Sequence, residues 1–130
     1  MSTAPTLGRV VLLVHDQQAA LAFYRDVLGF TVLHDEEADG LRYLHLGSAG
    51  LDGPGVWVLP ARTDEDRALV GRQAGGHPLL VLYADDLDAL RDRLRAADVE
   101  VWAEREDAGT RSLHLRDAVG NVLVAAQLPG

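Results

Sequence analysis

The chain of 130 residues is long enough for one domain with a real core and too short for two independent ones. Hydrophobic residues make up 48% and charged residues 25%, an ordinary globular mix, and a formal charge of -8 repels a phosphate backbone, which excludes nucleic acid as a natural partner. Cysteine is absent, so disulfide staples, thiolate-bound zinc and thiol catalysis are excluded.

Met1 to Gly8 is short, polar and interrupted by Pro5, with no basic start and no apolar run behind it, so no secretory leader is expected. The apolar stretches stay far below the ~20 residues of a membrane span. A cytoplasmic protein is the expectation.

Arg9 to Val14 reads as an apolar strand. Asp16 is placed to cap a helix over Gln17 to Leu28, within which Ala20, Phe23, Tyr24 and Val27 form an apolar stripe. Gly29 stops that helix in a left-handed conformation. Phe30 to His34 is the second strand, Leu41 to Leu46 the third, after a charged turn. Gly47 to Gly55 reads as a loop, and Val56 to Leu59 as the fourth strand, ended by Pro60. Residues 61–76 form a polar surface linker with one or two helical turns over Asp64 to Gln73.

Leu79 to Tyr83 begins the series again. Asp85 or Asp86 caps a helix running through Ala97, with Leu87, Leu90, Leu94 and Ala97 on one face. Val99 to Trp102 is a strand, Glu104 to Gly109 a charged turn, Arg111 to Arg116 a strand, Asp117 to Gly120 a tight turn and Asn121 to Ala126 the last strand.

The halves superpose. The helix ends Gly29 and Asp98 and the third strands share one offset, and Arg42-Tyr43-Leu44-His45-Leu46 is echoed by Arg111-Ser112-Leu113-His114-Leu115. The fold class is therefore α+β, built from two βαβββ modules, about 8–60 and 77–127, in a single domain spanning 1–130. In each module the helix covers one sheet face, and the other is left as an internal wall.

Three pieces carry a resemblance that covers essentially the whole chain. They are Val14 to Phe30, with Asp16, Phe23-Tyr24 and Leu28-Gly29-Phe30 in order; Asp85-Asp86-Leu87-Asp88-Ala89-Leu90; and Asp117-Ala118-Val119-Gly120-Asn121. With these the chain resembles the vicinal oxygen chelate superfamily of glyoxalases, extradiol dioxygenases, fosfomycin resistance enzymes and bleomycin resistance proteins. The resemblance implies an eight-stranded curved half-barrel cup with the helices outside, and a homodimer. It also implies that enzymes of the group hold a divalent metal on the first and fourth strands of each module. By alignment those slots hold Arg9, Val58, Leu79 and Val124. Valine and leucine offer no donor, and arginine is a fixed cation that repels an ion needing oxygen or nitrogen within about 2.0–2.4 Å. No metal, no cofactor and no catalytic residue is expected.

The candidate ligand-binding residues are Arg9, Val11, Leu13, His45, Val58, His77, Leu79, Tyr83, Trp102, His114 and Val124. His45 and His114 point into the cup if the third-strand leucines pack on the helices. His77 lies two residues before Leu79, on the same side of an extended strand. Alternation puts Val56 and Val58 in the cup and turns Trp57 toward the helix side or an interface. Such a wall suits a hydrophobic or aromatic small molecule. The expected function is metal-free sequestration of a bulky aromatic or cationic antibiotic without chemistry, as in the bleomycin resistance group. The alternatives are a metal-dependent glyoxalase-like lyase or dioxygenase, and a metal-independent enzyme of the same fold.

Overall fold

β1 (Arg9–Val14) leads into α1 (Gln17–Ala22) through Asp16, whose carboxylate accepts from the backbone amides of Gln18 at 2.9 Å and Ala19 at 3.2 Å. The sequence predicts one regular helix to Leu28. Instead α1 gives way to a π-helical turn over Phe23–Val27. Its wider winding leaves Tyr24 fully buried, with its ring edge-on to Phe23 and Phe30 at 5.3 and 5.2 Å. Gly29 then closes the helix at φ 81°.

The computed structural model describes residues 3–48 and 53–130 and separates the chain into two units, 1–60 and 61–130. In the first, β2 (Thr31–Ala38), β3 (Leu41–Gly47) and β4 (Gly55–Pro60) join β1 in a sheet of order β1-β4-β3-β2. β1 runs parallel to β4 and the other pairs are antiparallel. Part of the loop expected over Gly47 to Gly55 lies outside the described residues; Gly47 and Gly55 themselves belong to β3 and β4.

The second unit holds α2 (Asp64–Leu69), β5 (Pro78–Tyr83), α3 (Leu87–Ala96), β6 (Val101–Asp107), β7 (Thr110–Arg116) and β8 (Val122–Gln127). Its sheet repeats the pattern, β5-β8-β7-β6, with β5 parallel to β8. The α+β class and the two βαβββ modules are as the sequence implies, and each sheet is open. Residues 61–76 cluster with this unit, where Gly71 sits so close to the Val119 carbonyl that a Cβ would collide with it.

Two expected turns are strand. Residues 35–38 continue β2, and residues 104–107 continue β6. Their charges read as solvated loops but pair on the sheet: Asp35 with Arg42 at 2.8 Å, and Glu104 with Arg95 of α3 at 2.9 Å. The true turns are shorter, Asp39-Gly40 and Ala108-Gly109, each with both residues at positive φ, as tight hairpins require.

The faces of the first sheet correct another expectation. Leu44 pairs with Val58 and Leu46 with Val56, while Leu12 pairs with Val58 across β1. These five side chains, with Val14, are buried together with Ala20, Leu21 and Tyr24 of the helix. Val58 is 0% exposed, so it belongs to the core and not to a ligand-facing wall. Trp57 takes the opposite, helix-free face. The second sheet is built alike: Leu113, Leu115, Leu123 and Ala125 are buried with Leu87 and Leu94 of α3.

Candidate ligand-binding faces

The helix-free face of the first unit carries one row across all four strands. Val11 stands opposite Trp57, Trp57 opposite His45, and His45 opposite His34. The His45 ring stacks on Trp57, centroids 5.7 Å apart and 19° between planes, and meets His34 edge-on at 5.7 Å. Arg9, two residues before Val11 and on the same side, donates from Nε to His45 Nδ1 at 3.1 Å and from Nη1 to the Gly8 carbonyl at 2.8 Å. Burial holds the His45 imidazole below its ordinary pKa, and the positive charge of Arg9 adds to this, with a further push from His34. The indole nitrogen of Trp57 is buried with no hydrogen-bond partner among the described residues.

The second unit presents the equivalent row: Val81, Val124, His114 and Trp102. Here too a third-strand histidine packs on an indole, Trp102 to His114 at 5.6 Å with 42° between planes. The indole comes from the opposite neighbour, β6 instead of β8, the counterpart of β4. The Arg116 guanidinium lies 5.1 Å from the centre of the Trp102 ring and is paired with Glu100 at 3.0 Å. His114 Nδ1 is buried without a hydrogen-bond partner among the described residues. Farther along the same face a cleft of about 380 Å³ is lined by Arg105, Asp107, Thr110 and Ser112.

Within the first unit, Arg9, Val11, Leu13 and His45 share the helix-free face; Val11 is half-exposed and Leu13 is buried. Within the second, Leu79, Tyr83, Val124, Trp102 and His114 do so, with Leu79 at an irregularity in the β5–β8 register. Tyr83 is 72% exposed at the end of β5 and borders a cleft of about 410 Å³ with Asp85 and Gln127. His77 is exposed in the turn ahead of β5, and its ring makes no contact among the described residues that joins it to His114. Trp57 and His34 were missed. The signal for Trp57 lay in the repeat: Val124 stands opposite His114 just as Trp57 stands opposite His45.

The family's sequence profile, described as the glyoxalase/bleomycin resistance protein/dioxygenase superfamily, matches residues 6–124. The chain belongs to this superfamily. Its name already joins enzymes with resistance proteins. A relative in Pseudomonas aeruginosa, PA2024, is 29% identical over 121 residues, covering 91% of this chain and 85% of its own. Among solved structures, UcmS2 is 25% identical with a TM-score of 0.81, covering 95% of this chain and 98% of its own. TnmS3, an antibiotic binding protein from Streptomyces sp. CB03234, is 24% identical with a TM-score of 0.77 over the whole of both chains.

The resemblance to metal-holding members can be tested against the donors present. The register moves the fourth-strand slot of the first unit from Val58 to Trp57, so the four positions hold Arg9, Trp57, Leu79 and Val124. None offers a lone pair suited to a divalent ion. Among the described residues no group of three or more His, Asp or Glu side chains is placed to hold a metal ion. The donor set does not fit the superfamily's metal.

Proposed function

We propose that this member of the superfamily is a small-molecule binding protein that retains an aromatic compound on its helix-free faces without transforming it. The observation that carries the reading is the His45–Trp57 stack braced by Arg9. Flat rings beside a fixed cation favour a planar ligand with little loss of side-chain entropy. Val11 extends this surface within the first unit, and Val81 and Val124 give the second unit's own helix-free face an apolar lining. The fold shared with TnmS3, an antibiotic binding protein, is compatible with an antibiotic as the ligand, and a homodimer is carried as part of the same reading.

Calorimetry of the full chain against a panel of polycyclic aromatic natural products tests this, with mass spectrometry of the recovered compound and elemental analysis of protein purified without chelator. The expected result is saturable binding with the compound returned unchanged. A new product mass, or stoichiometric metal accompanied by turnover, overturns it in favour of an enzyme.

A further inference from the structure

The arginines divide by face. On the helix-packed faces Arg42 is paired with Asp35 at 2.8 Å and Arg111 with Asp88 at 2.6 Å. On the helix-free faces the pairing thins out. Arg9 bonds a histidine nitrogen and a backbone carbonyl and has no carboxylate partner among the described residues. Arg105 beside its cleft has no ion pair or hydrogen bond among them either, while Arg116 keeps Glu100.

The donors of the first unit point the same way. Because Arg9 donates to His45 Nδ1, the neutral ring carries its proton on Nε2, and that nitrogen donates. The indole N–H of Trp57 has no acceptor among the described residues, but it is buried, so Trp57 offers a ligand its ring and not this donor. Arg9 and His45 thus form a donor pair beside the Trp57 ring. Among the described residues the carboxylate on this side is Glu36, exposed on the edge strand β2 and opposite Tyr43.

We infer that the helix-free face of the first unit selects a planar aromatic ligand carrying an anionic or carbonyl oxygen, and discriminates against a cationic aromatic. This rests on the binding reading above and sharpens its ligand class. It runs against the net charge of -8, which by itself favours a cation. The local chemistry prevails because the field of exposed charges fades over about 8 Å at physiological salt, whereas a guanidinium meets a carboxylate directly. The carboxylates that produce the net charge sit largely on the helix-packed faces and loops, where arginines already hold several of them.

The test uses three probes with one ring system: 2-naphthoate, 2-naphthylmethylammonium and neutral 2-naphthalenemethanol. Each is titrated into the full ¹⁵N-labelled chain while the two indole N–H cross-peaks are followed, assigned through Trp57→Phe and Trp102→Phe. The expected result is a saturable shift of the Trp57 signal, at least tenfold tighter for the carboxylate than for the ammonium. Arg9→Met should abolish that preference, weakening the carboxylate at least tenfold more than the alcohol; Arg9 is exposed, so its loss opens no core. Arg9→Lys should keep part of it, retaining charge without the Nε donor. Equal or tighter binding of the ammonium, with the alcohol still bound, overturns the ligand class and leaves the binding reading standing. A carboxylate preference that survives Arg9→Met, or that moves only Trp102, overturns the assignment to this face. If none of the three moves either indole signal, both proposals fall.

Discussion

Arg9 Nε donates to His45 Nδ1 at 3.1 Å, so a cation at the start of β1 sets the tautomer of a histidine on β3. The bond exists only while His45 is neutral. Burial and the charge of Arg9 both hold the imidazole below its ordinary value of 6.5. The consequence for stability has a definite sign. Below 6.5 the unfolded chain takes up a proton that the folded chain resists, so this contribution is complete above 6.5 and is lost as the pH falls through the depressed value. In an NMR titration, the His45 midpoint should lie below 6.5 and move up in Arg9→Met. It should remain under 6.5 there, because burial is the larger cause. A midpoint at or above 6.5 in the native chain removes the Arg9–His45 bond from solution.

Val58 and Trp57 are neighbours with opposite fates, and a pair of substitutions separates them. Val58 is fully buried beneath α1, so Val58→Ala should lower stability by about 2 kcal/mol through lost burial and a cavity, and leave naphthoate affinity within twofold. Trp57→Leu should do the reverse, sparing most of the stability and weakening naphthoate at least tenfold. Denaturant unfolding and calorimetry read the two quantities separately. If Val58→Ala lowers affinity while Trp57→Leu spares it, the face assignment is wrong.

The elements were legible in the sequence because their signals are local. Asp16 and Asp86 announce helix starts, and each caps as expected. The repeat of Arg42 to Leu46 in Arg111 to Leu115 showed that the leucines and histidines of both third strands divide between opposite faces. What failed was longer in range. Whether Val58 or Trp57 faces the helix depends on register against β3, and a strand as short as Gly55–Pro60, rich in apolar residues on both sides, does not reveal its parity. Residues 35–38 and 104–107 were mistaken for turns because their charges find partners across the sheet or on α3, which composition does not show. The π-helical turn left no pattern distinct from an α-helix.

Asp117 is the buried anchor of the turn that leads into β8. Its Oδ1 accepts from the amides of Val119 at 3.0 Å and Asn121 at 2.9 Å, and its Oδ2 from the Asn121 side chain at 3.1 Å. Asp117→Ala leaves the Asn121 amide and side chain buried and unsatisfied. The expected cost is about 2–4 kcal/mol, read as a lower denaturation midpoint with an unchanged m-value. Asp117→Asn, which keeps one carbonyl acceptor, should lose less than half as much. Equal losses in the two variants would mean that packing, and not hydrogen bonding, makes the turn.

Gly55 tests whether the face of the first unit depends on its strand spacing. It stands opposite Arg9 on one side and Gly47 on the other, and its amide donates to the Gly8 carbonyl at 3.0 Å. A Cβ there would run into the Leu46 carbonyl oxygen, a backbone atom that cannot swing aside. Gly55→Ala must therefore push β4 away from β3 at the point where Arg9 is held. The expected effect is a loss of about 1–3 kcal/mol from overpacking, together with a weaker Arg9–His45 bond, seen as a rise in the His45 midpoint. Gly8→Ala is the control, since a Cβ at Gly8 meets nothing within 4 Å. It should leave both quantities unchanged. A Gly55→Ala protein as stable as the native chain, with the His45 midpoint unmoved, would show that the β3–β4 spacing is loose enough to take a methyl group and does not position Arg9.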